Sequence, residues 1–121
     1  LFDEIGNTFD ATETLAGLAD IALLENNLAG AFAYAEEILK VLADHPRAGM
    51  DEPFKIYLTC YRVLEANHDP RVTNVLEIAY QLLDEYASHF TDNAQRQAFF
   101  YNVPSHRELV QARERIRSAS K

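Results

Sequence analysis

Residues 28–43 recur 44 positions further along the chain. Leu28 falls on Val72, Ala31 on Val75 and Phe32 on Leu76. Ala35 falls on Ala79, Ile38 on Leu82, Leu39 on Leu83, Leu42 on Tyr86, Ala43 on Ala87, and beyond them His45 falls on His89. The stretch before each copy matches too, at a shift of about 43, with Leu15 on Leu58, Leu18 on Tyr61 and Ile21 on Leu64. One extra residue in the second turn accounts for the difference. A repeat of this length holding two helical stripes cannot bury its apolar face alone. Packing on the next copy buries it, which is the signature of an α-solenoid.

The rest of the chain agrees. Four Gly and four Pro in 121 residues are too few for the many turns of a β-sandwich or barrel. Leu1–Ile5 reads as the end of a helix stopped by Gly6-Asn7. Asp10 with Glu13 forms a capping box, and Leu15, Leu18, Ala19, Ala22 and Leu23 follow at helical spacing. Glu25-Asn26-Asn27 turns the chain into a helix from about Leu28 to Leu42. After a loop at His45–Met50, Asp51 caps a third helix with the stripe Phe54, Tyr57, Leu58, Tyr61 and Leu64. Asp69-Pro70 opens a fourth, Thr91-Asp92 a short fifth, and Ser105 with Glu108 a second capping box for the last. Ala19 and Ala22 are placed to face Ala31 and Ala35, where small side chains let two helices approach to roughly 8–10 Å.

These residues resemble a known family. Leu15, Leu18, Ala19 and Ala22, then Ala31, Ala35 and Ile38, take the positions of a tetratricopeptide repeat. Ala35 stands where an aromatic is usual, and the helices are longer than that repeat's norm. Tyr61-Arg62-Val63-Leu64, Asp69-Pro70-Arg71, Ala79–Leu83, Ala94–Phe99 and Asn102–Leu109 are similar to the C-terminal end of the repeat arm of large bacterial signalling ATPases. Those proteins often carry an adenylate or guanylate cyclase domain, or a DNA-binding output domain. The resemblance covers roughly residues 10–110 and its motifs are structural. It implies an all-α fold: antiparallel hairpins stacked as a short right-handed α-solenoid with a C-terminal capping helix. One domain spans 1–121, divided as 1–8 (tail of a preceding helix), 10–45, 51–90 and 92–121 (cap), and the whole reads as a fragment of a larger protein.

Composition narrows the function. The net charge of −8 does not suit phosphate binding, so no nucleic-acid partner is expected. No run approaches the ~18 apolar residues of a membrane span. Cys60 is the only cysteine, as suits a reducing cytoplasm. It lies mid-helix, where a small buried thiol is common, and is not expected to act as a nucleophile. His45, His68, His89 and His106 match no zinc spacing, so neither metal nor cofactor is expected. Glu36-Glu37 and Asp84-Glu85 are adjacent on helices and point about 100° apart, as a solvated face would. There is no phosphate-binding Gly-rich loop, no Gly-x-Ser-x-Gly, and no sheet for the paired carboxylates of a cyclase. The chain is not expected to be an enzyme. The last helix is basic, with Arg107, Arg113, Arg115, Arg117 and Lys121 against Glu108 and Glu114, as a cap complementing an acidic body would be.

The expected function is protein–protein interaction or sensing. Its partner is a protein, a peptide or another domain of the parent molecule. The first helix of each stacked hairpin usually lines the concave face, which nominates Asp20, Asn26, Tyr57 and Arg62. Tyr80 joins them as a candidate at the edge of the buried face, since Tyr is common at interface centres. The alternatives are self-association, as a homodimer formed through Leu1, Phe2, Ile5 and the first hairpin, or an intramolecular scaffold segment with no external ligand.

Overall fold

The computed structural model describes residues 2–44 and 53–119, with side chains from residue 11 onward. These residues form α1 (Phe2–Leu24), α2 (Leu28–Asp44), α3 (Pro53–Ala66), α4 (Val72–Ala87), α5 (Asn93–Tyr101) and α6 (Pro104–Ala119). The fold is all-α, with no strand among the described residues. The loop at His45–Met50, the Asp51 cap and the side chains of Leu1, Phe2 and Ile5 lie outside them.

Three starts differ from the sequence reading: α4 begins at Val72 with Arg71 at its N-cap, two residues after Pro70, α6 begins at Pro104, and α1 is longer than expected. α1 runs unbroken through Gly6-Asn7 and past Asp10, so neither the stop nor the Asp10–Glu13 capping box forms. A mid-helix Gly costs only about 1 kcal/mol against Ala. A break would leave four N–H and four C=O groups without helical partners.

The tight turns are local chemistry. Asn26 (φ 60°) and His68 (φ 56°) are left-handed. The N–H of Asn26 bonds to Leu23 O and that of Asn27 to Ala22 O, at 3.1 and 2.8 Å. His68 bonds to Glu65 O and Asp69 to Leu64 O in the same way, at 3.1 and 2.9 Å. α1 and α3 therefore end in the same Schellman turn. Asn27 Oδ1 then caps Gly30 N–H at 3.0 Å, and Asp69 Oδ1 accepts from Arg71 N–H at 2.9 Å. Asp92 caps α5 through Ala94 N–H at 3.0 Å. Pro53 and Pro104 begin α3 and α6, where a missing N–H is harmless. The Ser105–Glu108 capping box is not made. α6 begins one residue before Ser105, and Arg62 holds the Glu108 carboxylate.

These turns reset the repeat register. Asn26 and His68 lie 42 positions apart, which pairs Ala16, Ala19 and Ala22 with Leu58, Tyr61 and Leu64. All six are buried. The shift of 43 matched large residues with large ones, yet Leu18 and Ile21 are exposed by 39% and 52%. α1 uses alanine on its inner face because it packs tightly on α2 through Ala19, Ala22, Ala31 and Ala35, with Val63 closing the cluster. In the later helices the shift of 44 holds, pairing buried Ala31, Ala35 and Ile38 with buried Val75, Ala79 and Leu82.

α3 is the central helix. It touches α1, α2, α4 and α6, and of Phe54–Leu64 only Lys55 and Arg62 are exposed. Tyr57, Leu64, Ile38, Leu76, Leu83 and Leu109 are the large side chains sealed in the core. An aromatic cluster fastens α5 and α6 to it. His106 lies between Phe54 (4.7 Å) and Phe99 (4.6 Å), and its Nδ1 bonds to Phe99 O at 2.9 Å. The basic α6 sits on the acidic body through Arg113–Glu77 at 2.8 Å and Arg115–Tyr61 Oη at 3.1 Å. Arg107 bonds to Tyr101 O at 3.4 Å, within its own turn.

Candidate interaction groove

Two adjoining cavities run along the exposed edge of α3. One, of about 250 Å³, lies between Asp20 of α1, Lys55, Thr59 and Arg62 of α3, and Pro104, Ser105 and Glu108 at the start of α6. The other, of about 180 Å³, shares Asp20, Lys55 and Thr59 and continues to Glu13 and Gly17. Together they form one groove walled by the first helix of each hairpin.

The walls obey the 42-residue register. Glu13, Gly17 and Asp20 fall on one stripe of α1 by i, i+4, i+7 spacing. Lys55, Thr59 and Arg62 are the same stripe of α3. The charges are opposite at equivalent positions: Glu13 answers Lys55 and Asp20 answers Arg62. At mid-groove the Thr59 hydroxyl donates to Asp20 Oδ1 at 3.1 Å, which fixes the carboxylate against α3. Thr59 is itself buried, so this bond satisfies a polar group the packing has sealed in. Arg62 is held in a fork by Glu108, with Nε to Oε2 at 3.0 Å and Nη2 to Oε1 at 2.9 Å. That pairing keeps the guanidinium's pKa above its usual value, against the opposing effect of partial burial. Both side chains remain about 40% exposed, so a carboxylate from outside can compete for the fork.

Of the five residues nominated from the sequence, Asp20 and Arg62 share this groove. The other three do not join them. Tyr57 is 2% exposed and borders a separate cavity with Leu39, Leu42 and Val75. It lies on the inward stripe of the most buried helix. Asn26 is exposed, but at the left-handed position that ends α1. Tyr80 is covered by the Arg113 guanidinium at 3.9 Å and stacks on Phe100 at 6.1 Å, so it serves the packing of α5 and α6. The groove also brings in Lys55, Thr59 and Glu108, which were not among the five. Helical spacing back along α3 from Arg62, by three and seven positions, points to the first two. Glu108 reaches the groove only because α6 folds back on α3.

The groove offers charge and shape and holds no reactive thiol. Cys60 is fully buried beside it, and burial, helped by the Asp20 charge, pushes its pKa up to about 12. Among the described residues no three His, Cys, Asp or Glu side chains converge as a metal site requires. No described helix is long and apolar enough to cross a membrane. No protein-family model, curated protein or solved structure matches the chain.

Proposed function

We propose that this chain is a short right-handed α-solenoid of tetratricopeptide-like hairpins, closed by α6 as a cap. It acts in the cytoplasm as a non-catalytic recognition or sensing arm of a larger bacterial signalling protein. The observation that carries this reading is the shared stripe of Glu13, Gly17 and Asp20 with Lys55, Thr59 and Arg62. Two successive hairpins thereby present equivalent surfaces to one groove. Opposite charges on its walls suit a polypeptide segment carrying both signs, aligned by its own charges. Such complementarity contributes more to specificity and association rate than to raw affinity.

The test is retention from an extract of the source organism by the immobilised, folded chain. A protein competed away by free chain, and lost on Asp20→Lys or Arg62→Glu, supports the groove. Retention unchanged by either substitution refutes it. No specific retention at all turns the assignment toward a contact within the parent molecule.

A further inference from the structure

The groove holds two rungs built at equivalent places in the repeat. Asp20 and Arg62 correspond at the 42-residue register. Each is bound by a side chain from the next helix along. The Thr59 hydroxyl of α3 donates to Asp20 at 3.1 Å, and the Glu108 carboxylate of α6 accepts from Arg62 at 2.9 and 3.0 Å. α6 lies against α3 and α4 as α3 lies against α1 and α2. Glu108 is therefore the counterpart of Thr59 one layer on.

The two rungs differ in access. Thr59 is 3% exposed, so its bond to Asp20 belongs to the packing. Arg62 and Glu108 are 44% and 40% exposed, so solutes reach both ends of that pair. Nor does the fork hold α6 in place. Leu109, Val110 and Ala112 are buried beside it, and His106 is wedged between Phe54 and Phe99. A half-exposed ion pair adds little to such packing. The Glu108 side chain can thus leave Arg62 while its helix stays where it is.

A guanidinium fork takes a carboxylate through two parallel bonds, whichever molecule supplies it. Resting on the groove as the recognition surface, we infer that Glu108 is an internal stand-in for the partner. It occupies Arg62 while the groove is empty and is exchanged for a carboxylate of the bound segment. The displaced Glu108 remains in a cavity that Lys55 also lines. One ion pair replaces another, so the exchange selects for an acid at this point more than it adds affinity. A neutral side chain cannot displace Glu108 and is refused.

The test uses the whole chain and three short N-acetylated peptides. One carries a single glutamate and an amidated C-terminus, one has glutamine in its place, and one has a C-terminal carboxylate as its only acid. The NMR signal of the Arg62 Nε–H reports which carboxylate holds the fork. The expected result is a saturable shift with an acidic peptide and none with the glutamine peptide. Binding by either acidic peptide supports the exchange, and which one binds identifies the source of the carboxylate. Glu108→Gln should tighten that binding roughly two- to fivefold, the worth of a half-exposed ion pair. Glu114→Gln makes the same change of charge on an exposed part of α6 outside the groove and should leave affinity as it was. Arg62→Gln should abolish binding, and circular dichroism verifies that each variant is folded. Affinity unchanged or weakened by Glu108→Gln, an equal gain from Glu114→Gln, or no binding by either acidic peptide overturns the inference. Extract retention that still depends on Asp20 and Arg62 would then leave the recognition groove standing without the exchange; retention independent of both removes the two together.

Discussion

The same substitution at two glycines of this chain should have opposite consequences. Gly17 and Gly30 both lie inside helices. A methyl group at Gly17 meets no atom within 4 Å. Gly17→Ala therefore gains the ordinary helix preference of alanine, about 0.5–1 kcal/mol. A methyl group at Gly30 would sit 2.9 Å from Asn27 Cγ, and closer still to its Nδ2. Asn27 would have to swing away, taking with it the cap on Gly30 N–H. Losing an N-cap costs about 0.5–2 kcal/mol, which cancels or exceeds the alanine gain. Gly17→Ala should raise the melting temperature by about 2–5 °C, while Gly30→Ala should leave it unchanged or lower it. Urea unfolding gives the two free energies. The decisive arm uses Asn27→Ala as background. With the cap already gone, Gly30→Ala should stabilise by about as much as Gly17→Ala. Equal stabilisation at both glycines with Asn27 intact would refute the reasoning.

The other predictions are smaller. Arg62→Ala breaks a half-exposed ion pair, so stability should fall by less than about 1 kcal/mol while partner retention is lost; a cooperative unfolding curve near that of the parent chain distinguishes the two effects. Cys60 should resist a thiol reagent in the native state and react fully in denaturant, because its thiol is buried and protonated. Its folded pKa is raised, so its contribution is intact below the unfolded value of 9.0 and is lost as pH rises toward about 12; Cys60→Ala should flatten that alkaline limb. His106 is the reverse case. Burial holds its pKa below 6.5, so its contribution is present above that value and is lost on acidification. His106→Phe, keeping a ring between Phe54 and Phe99, should reduce the loss of stability between about pH 7 and pH 5.

Much of the fold follows from local rules that operate within a few residues. Asp92, Pro53 and Pro104 stand at helix ends because first-turn N–H groups need an acceptor or tolerate having no hydrogen. Period and spacing placed α2 to α6 and the alanine crossing of α1 and α2. Local rules also misled. Gly6-Asn7 has the composition of a stop, but stopping depends on whether the helix on either side gains by continuing. The register of the first hairpin was read from side-chain size, and size is a poor guide when close helix packing selects alanine for the inside and leaves leucine outside. The Schellman turns at Asn26 and His68, which set the register, depend on backbone geometry more than on a residue signature.

The groove divides the same way. Asp20 and Arg62 were legible as first-helix residues of a repeat, since helical periodicity orients a stripe before any tertiary contact exists. Which stripe faces water was not. Tyr57 and Arg62 are five residues apart on one helix, far enough around it for one to be sealed in the core and the other to remain open. Glu108 answers Arg62 from 46 positions away, a pairing that only the return of α6 onto α3 creates. Helices α2 to α6 and the Asp92 cap were thus legible from the amino-acid order alone, because each rests on interactions within a turn or two. Which faces are buried and which charges meet came from tertiary packing, because burial depends on every helix that comes to lie alongside.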